Sequence, residues 1–406
     1  MANPKTRFKR DDGSDYPDWE EISVGEITAE LTDYLPLNCG YPLLTSSRNG
    51  LLFQEEFRNK VSTENEETIF SVLPRNAVTY RHMSDDNIFH FNINTLVDYG
   101  LVSKEYPVFT TINGNNLYLL VEYLNSSDRF LEFCKAQKKG GTRTRLYFNI
   151  LKTFKTFFPL PEEQQKIADF LTKVDEVIAG SEAEVRNLEA QKKAVMKKIF
   201  AQEIRFIRPD GSNFPNWKED RLNNLCEYVD YRGKTPEKVE KGIFLVTAKN
   251  IRMGYIDYDV SQEFISEDSY EEVMHRGKPN IGDVLFTTEA PCGMVAQVDR
   301  DDIALAQRVI KYRSKDNNSL NNTYLKYILI SDMFQDNLAQ KATGGTVKGI
   351  KGAVLHEMII IYPSDIKEQR LIADFLSDFD DAIAAAKKEL ELWKQLKKAL
   401  LQQMFV

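Results

Sequence analysis

The string PEEQQKIADFLTKVDEVIAG runs from Pro161 to Gly180, and IKEQRLIADFLSDFDDAIAA runs from Ile366 to Ala385, 205 residues further on. Gln164, Ile167, Ala168, Asp169, Phe170, Leu171, Asp175 and Ile178 recur as Gln369, Ile372, Ala373, Asp374, Phe375, Leu376, Asp380 and Ile383, with Glu163 falling on Glu368. Positions 167, 171, 174, 178, 181, 185, 188, 192, 195 and 199 read Ile, Leu, Val, Ile, Ser, Val, Leu, Lys, Val and Ile. Spacing that alternates four and three is a heptad seam. The second copy reads Ile372, Leu376, Phe379, Ile383, Ala386, Leu390, Trp393, Lys397, Leu400 and Met404, with lysine at the same place. Phe170 and Phe375 are expected to widen the seam near its start. Pro161 suits a first helical position. Asp365 and Glu368 predict a capping box, with Glu163 at the matching third position in the first copy. Forty residues at about 1.5 Å each make a rod of about 60 Å.

A narrow apolar seam on so long a helix needs a partner, and the twin is the obvious one. Duplicated halves related by a pseudo-two-fold axis would run the rods antiparallel, with one globular unit at each end. Ala179, Gly180 and Ser181, with Ala384, Ala385 and Ala386, predict a close crossing at mid-rod.

Two further matches frame the halves. RFKRDDGSDYPDW (Arg7–Trp19) returns as RFIRPDGSNFPNW (Arg205–Trp217). Asp128, Phe130 and Gly140-Gly141-Thr142 return as Asp332, Phe334 and Gly344-Gly345-Thr346. The period is far longer than solenoid repeats of roughly 20–50 residues. The middles of the halves do not resemble each other. The expected domains are 1–160, a helix over 161–204, 205–362 and a second helix over 363–406. The fold class is α+β: two mixed α/β globular domains separated by two long helices packed as an antiparallel coiled coil. In the second half, Ile243–Ala248, Asp283–Thr288, Met294–Val298 and Met358–Tyr362 predict strands, and Thr323–Lys341 predicts one helix.

A chain of 406 residues with 42% hydrophobic and 28% charged residues is globular and exceeds one ordinary core. No apolar run approaches the roughly 20 residues that span a bilayer, and the start lacks a secretory signal's apolar middle, so a cytoplasmic location is expected. Cys39, Cys134, Cys226 and Cys292 lie far apart, and neither a disulfide framework nor a metal site is expected. The net charge of −8 argues against a nucleic-acid partner, but the charge is segregated. Between Phe133 and Thr156 stand Lys135, Lys138, Lys139, Arg143, Arg145, Lys152 and Lys155 with no acid; between Asn337 and His356 stand Lys341, Lys348 and Lys351, again with none. Local clusters set the field that a ligand meets.

Catalytic motifs are missing. Gly233-Lys234-Thr235 resembles the end of a phosphate loop, but Tyr228 stands where that loop needs glycine. There is no Gly-x-Ser-x-Gly elbow, no His-Glu-x-x-His and no methyltransferase Asn/Asp-Pro-Pro-aromatic string. Polar loops are instead abundant. They place Ser47, Arg48, Asn49 and Arg81, then Lys138, Lys139, Thr142, Arg143 and Arg145, in the first half. In the second they place Arg232, Lys234, Thr235, Lys249, Asn250, Thr346, Lys348 and Lys351. Such side chains contact phosphates and reach base edges, and these seventeen are the candidate DNA-binding residues.

The whole chain resembles a specificity subunit of a type I restriction–modification system. The resemblance lies first in the doubled IADFL helices. It continues through PLLTSSRNGLLFQEEF, TYRHMSDDNIFHF and GLVSKEYPVF in the first half, and YRGKTP, GDVLFTTEAP, ALAQRVIKYR and ATGGTVKGI in the second. It implies a non-catalytic, DNA-binding subunit whose two target-recognition domains each read one half of an asymmetric, bipartite sequence in double-stranded DNA. The helices would set the spacer and dock two methyltransferase (modification) subunits, with Ile167, Phe170, Leu171, Val174, Ile178, Leu188, Ile372, Phe375, Leu376, Phe379, Ile383, Leu390 and Trp393 as the residues of the coiled coil or of that docking. This chain would bind no cofactor. S-adenosylmethionine serves the methyltransferases, and ATP with Mg²⁺ serves the restriction (motor–nuclease) subunits. Two other classes stay open: a coiled-coil adaptor joining two proteins without reading DNA, and a stand-alone enzyme.

Overall fold

The computed structural model describes residues 4–58, 65–138, 140, 142–231, 233, 236–344 and 348–405. Two units form: Met1–Glu182 with Lys388–Val406, and Ala183–Lys387. Each unit therefore unites one globular half with the start of its own rod and the end of the other.

The rods are unbroken helices, Pro161–Phe200 and Ile366–Met404. Every position of the two heptad seams is buried or half-buried, while most positions beside them are exposed. In the first unit Lys394 meets Glu182 and Lys397 meets Asp175, each at 2.7 Å. Numbers rise along one rod as they fall along the other, so the segments are antiparallel. In the second unit Lys387–Glu189, at 2.7 Å, and Lys192–Asp380 give the same sense. The repeated lysine explains the choice. In a parallel, in-register pair Lys192 would face Lys397; the antiparallel pair sets each against the repeated aspartate of the other rod. A polar seam residue fixes register in this way.

The repeated strings prove to be two halves of one joint. Arg7 donates from Nε and Nη2 to the buried Glu163 carboxylate at 3.0 and 2.7 Å, and Trp19 donates its indole N–H to the same group at 3.1 Å. Arg205 grips Glu368 likewise, at 3.1 and 2.8 Å. Gln164 accepts from the Asn116 backbone N–H and donates to the Pro159 carbonyl; Gln369 does so with Asn321 and Pro363. Arg10 lies over Tyr16 and Arg208 over Phe214, each at 5.1 Å. Gly13 and Gly211 turn the leading string at φ +86° and +80°, where a side chain is disfavoured.

Four sequence expectations need correction here. The Asp365 carboxylate does accept from the Lys367 backbone N–H, at 2.9 Å, but Glu368 turns inward to Arg205, so there is no reciprocal capping box. Phe170 and Phe375 serve the joint and not the seam alone: they receive Phe8 and Phe206 of the leading strings, at ring distances of 5.6 and 5.8 Å, while Phe375 also meets the seam residue Phe379 at 5.4 Å. A Cβ at Gly180 would meet nothing within 4 Å, so that glycine serves no close crossing. The stretch Thr323–Lys341 is two helices, Asn322–Ile330 and Asp332–Lys341, because Ser331 leaves helical geometry to cap the second.

Each globular half opens with a strand that pairs antiparallel with the strand leading into its rod: Glu20–Ser23 with Lys155–Phe158, and Lys218–Arg221 with Ile359–Tyr362. Each also carries two successive helices, Leu117–Ser126 and Asp128–Ala136 in the first, capped by Asn116 and Ser127 as their counterparts are by Asn321 and Ser331. Between these fixed parts the sheets differ. The first half has a four-stranded sheet in the order Thr28–Glu30, Val108–Thr111, Val78–Tyr80, Phe91–Ile93, and a three-stranded one. The second has the order Cys226–Asp230, Val309–Ser314, Val284–Thr288, Cys292–Gln297, and a smaller sheet in which Ile243–Val246 pairs in parallel with Ile303–Leu305. Both cores extend into the rods. The first joins Tyr80, Phe109 and Tyr123 to Ile167, Leu171, Leu401 and Met404; the second joins Phe286, Tyr312 and Tyr324 to Ile199, Phe200, Ile372 and Leu376.

Candidate nucleic-acid interface

In the first unit the hairpin Leu44–Ser47/Gly50–Phe53 presents Arg48 and Asn49 at its tip. The Ser47 hydroxyl donates to the Gly50 carbonyl at 2.8 Å and accepts from the Asn49 backbone at 3.1 Å, and Asn92 donates to Ser46 and Ser47, so the tip is braced from below. A neighbouring loop, residues 84–88, clamps two of the candidate cations. Asp86 accepts from Arg48 Nη2 at 2.6 Å and Asp85 from Arg143 Nε at 2.8 Å. Ser84 Oγ and the Ile88 backbone fix Asp86 in turn, at 2.8 and 3.2 Å, and Asn87 accepts from Thr144 at 2.6 Å. The Ser84 bond first, and the Arg48 guanidinium after it, hold the Asp86 carboxyl down at about 2. Ser47, Arg48, Asn49 and Arg81 converge on one recess of about 540 Å³ that Asp85 also lines.

Arg145 lines a second recess, of about 630 Å³, with Lys104, Glu105 and Tyr147. His82 lies buried beneath it, stacked on Tyr147 at 5.1 Å, and burial pushes its imidazole below the ordinary value against the pull of Glu105. Lys138 and Thr142 are exposed beyond the helix Asp128–Ala136.

In the second unit Lys249 stands exposed after the strand Ile243–Val246. Asn250 does not join it: fully buried, it accepts from the Thr247 backbone and hydroxyl and donates to the Asp257 and Ser261 carbonyls. Its amide is spent bracing the loop, so Asn250 is withdrawn as a DNA contact. Lys348 and Lys351 are exposed on a tract anchored by paired Thr343–Gly349 backbone bonds and by Ile350 N–H to the Thr288 carbonyl, all at 2.9 Å. Lys139, Arg232, Lys234, Thr235 and Thr346 lie outside the described residues.

On the rods Ile167, Leu171, Val174, Ile372, Leu376 and Ile383 are buried; Phe170, Ile178, Leu188, Phe379, Leu390 and Trp393 are half-buried; Phe375 is exposed. The seam's own residues are thus occupied between the rods, and other apolar groups, Leu371, Leu392 and Leu396, face solvent. Among the described residues no group of three metal-ligating side chains forms, and no helix is long and apolar enough to cross a membrane.

Sequence reasoning missed Asp85 and Asp86. They sit inside the string TYRHMSDDNIFHF, yet nothing local predicts that the loop folds against the hairpin tip.

A frame built twice on the same Arg–Glu and Gln contacts, carrying two unlike sheets with cationic loops, defines a duplicated scaffold. The family model for the type I restriction modification DNA specificity domain matches residues 37–190 and again 215–392, and the chain belongs to that family. Among similar proteins, the type I restriction enzyme MjaVIII specificity subunit of Methanocaldococcus jannaschii is 26% identical over 285 residues, 66% of this chain and 65% of that one. The type I restriction enzyme HindI specificity subunit of Haemophilus influenzae is 23% identical over 230 residues, 55% of this chain and 49% of that one. The chain therefore matches just under two thirds of the first and about half of the second. Of solved structures, the S subunit of a type I restriction–modification system from M. genitalium superposes with a TM-score of 0.55 at 13% identity, covering 100% of this chain and 99% of that one. A chain from a study of complex assembly and conformational transition of the type I R-M system gives 0.54 at 17%, covering 96% and 98%. At these identities the likeness is one of fold.

Proposed function

We propose that this chain is the non-catalytic, DNA-reading subunit of a type I restriction–modification complex in the cytoplasm. Residues 1–160 and 205–362 are the two readers, each taking one half of an asymmetric bipartite target. The paired rods set the unread spacer and carry two adenine-methyltransferase subunits. S-adenosylmethionine belongs to those subunits, and ATP with Mg²⁺ to the restriction subunits. The observation that carries this reading is the pairing of a joint repeated in its Arg–Glu and Gln contacts with different sheets. Repeated joints suit like partners, while different sheets suit different half-sites. Among the cationic loops, exposed Lys138, Arg145, Lys249, Lys348 and Lys351 are the phosphate contacts of this scheme.

The test is methylation mapping by single-molecule sequencing in cells with and without this chain. A bipartite motif with two unlike halves, modified on adenine only when the chain is present, supports the proposal. Binding by the reconstituted complex should fall when Lys138, Lys139, Arg143 and Arg145 are neutralised together; an adaptor that ignores DNA would be indifferent. Turnover by the isolated chain with ATP and Mg²⁺ would overturn the proposal in favour of an enzyme.

A further inference from the structure

The cations of the first unit's candidate loops are not equivalent, and the difference assigns them different tasks. Lys138 is exposed and its ammonium has no partner among the described residues, as suits a phosphate contact. Arg48 is tied to Asp86 at 2.6 Å, within a loop that also carries Asp85. Two carboxylates face the two guanidiniums of Arg48 and Arg143 and offset their charge, while Arg81 stays the other arginine of the recess. A phosphate approaching Arg48 would meet Asp86 at close range, and like charges repel strongly there. A neutral acceptor edge would not.

The bond geometry leaves such an edge a place. Nη2 of an arginine carries two hydrogens, one on each of the guanidinium's forked edges. A single bond to Asp86 leaves one fork of two parallel N–H groups whole, and Arg48 makes no other side-chain bond among the described residues. Asp86 is itself held by Ser84 and by the Ile88 backbone, so the fork is aimed before any ligand arrives. Two parallel donors on a fixed plane match the O6 and N7 acceptors of guanine in the major groove. Pre-aiming reduces the ordering cost of making that contact.

We infer that Arg48, positioned by Asp86, reads a guanine in the half-site of the first domain rather than gripping a phosphate. The inference rests on the DNA-reading function proposed above.

Arg48→Ala, Asp86→Asn and Lys138→Ala would be compared with the unchanged chain in the assembled methyltransferase complex. The readouts are selection of bound sequences from a randomised DNA pool and the salt dependence of binding to the selected site. Arg48→Ala should relax preference at one G·C pair by about 5- to 150-fold while leaving the salt slope within its error. Asp86→Asn should relax the same position more weakly. Lys138→Ala should weaken all sequences alike and lower the salt slope by about 0.9. Should Arg48→Ala behave as Lys138→Ala is expected to, or change no position, the assignment of Arg48 to a base is wrong. If the unchanged complex selects no sequence at all, it is the proposed function that fails. Circular dichroism of each variant separates a reading defect from a folding one, and Arg48→Lys, which keeps the charge but not the fork, should share the relaxed preference.

Discussion

Replacing Glu163 by alanine tests the joint that fastens the first globular half to its rod. The carboxylate is essentially inaccessible, 1% exposed, and holds the Arg7 guanidinium, 18% exposed, with two bonds and the Trp19 indole with a third. Removing one member of a buried ion pair costs about 3–5 kcal/mol, because its partner stays behind as a desolvated charge. A buried donor deprived of its acceptor costs about 1–3 kcal/mol. Arg7 retains some access to water, which draws the expected loss toward about 3 kcal/mol for the first unit. Urea denaturation in a Trp217→Phe background reads that unit alone by fluorescence, since Trp19 and Trp393 both belong to it and Trp217 does not. Glu163→Gln should lose less, because an amide oxygen still accepts from the indole. The double variant Arg7→Met with Glu163→Leu should recover much of the loss by replacing the ion pair with apolar contact. A loss under about 1 kcal/mol, or a double variant no better than Glu163→Ala, would show that the pair does not secure the joint.

Three further outcomes are expected. Glu122 lies beside Asp175 and Lys397; burial first, with Asp175 assisting, lifts its carboxyl above the ordinary range despite the Lys397 ammonium. A carboxyl raised in the folded state takes up its proton before the unfolded chain does, so the first unit should gain stability as pH falls toward the ordinary carboxylate range. Glu122→Gln should lose that gain in urea midpoints. Asp380 is the reverse case: burial opposes its charge, but the bonds from Lys192 and Tyr327 prevail and hold it below the ordinary range. Its contribution is therefore present above about pH 4 and lost below it, and Asp380→Asn should flatten the acid limb of the second unit's denaturation curve. Finally, Gly242 adopts φ +155° where an added Cβ would land on the Ile265 carbonyl oxygen, so Gly242→Ala should destabilise the second unit by more than about 2 kcal/mol by calorimetry.

The rods were legible as elements and in their seams, though the expected spans 161–204 and 363–406 ran past the helices Pro161–Phe200 and Ile366–Met404. A heptad seam is a local periodic signal, and all its positions, including Ser181, Lys192 and Lys397, are buried or half-buried. The doubled strings marked out the frame, but not that Arg7 and Glu163 clasp each other, because a partner 156 residues away leaves no local trace. Glu368 was misread for the same reason: Glu three residues after Asp satisfies the capping pattern, and only the presence of Arg205 overrules it. Ser331 sits within an apolar period that survives the break, so one helix was expected where two form. The recognition loops were the least legible. Arg48 and Asn250 look alike on paper, a polar residue in a polar loop, yet one stands at an exposed hairpin tip and the other is sealed inside four hydrogen bonds.

The chain's first unit is completed by Lys388–Val406, whose Leu401 and Met404 lie in the core around Tyr123. A ribosome adding about 5–20 residues per second would therefore release the first reader some 10–40 s before synthesising the helix that closes it. During that interval the nascent chain exposes an apolar gap shaped for its own distant end. A truncation near residue 387 would accordingly injure the reader encoded first and spare the one encoded last.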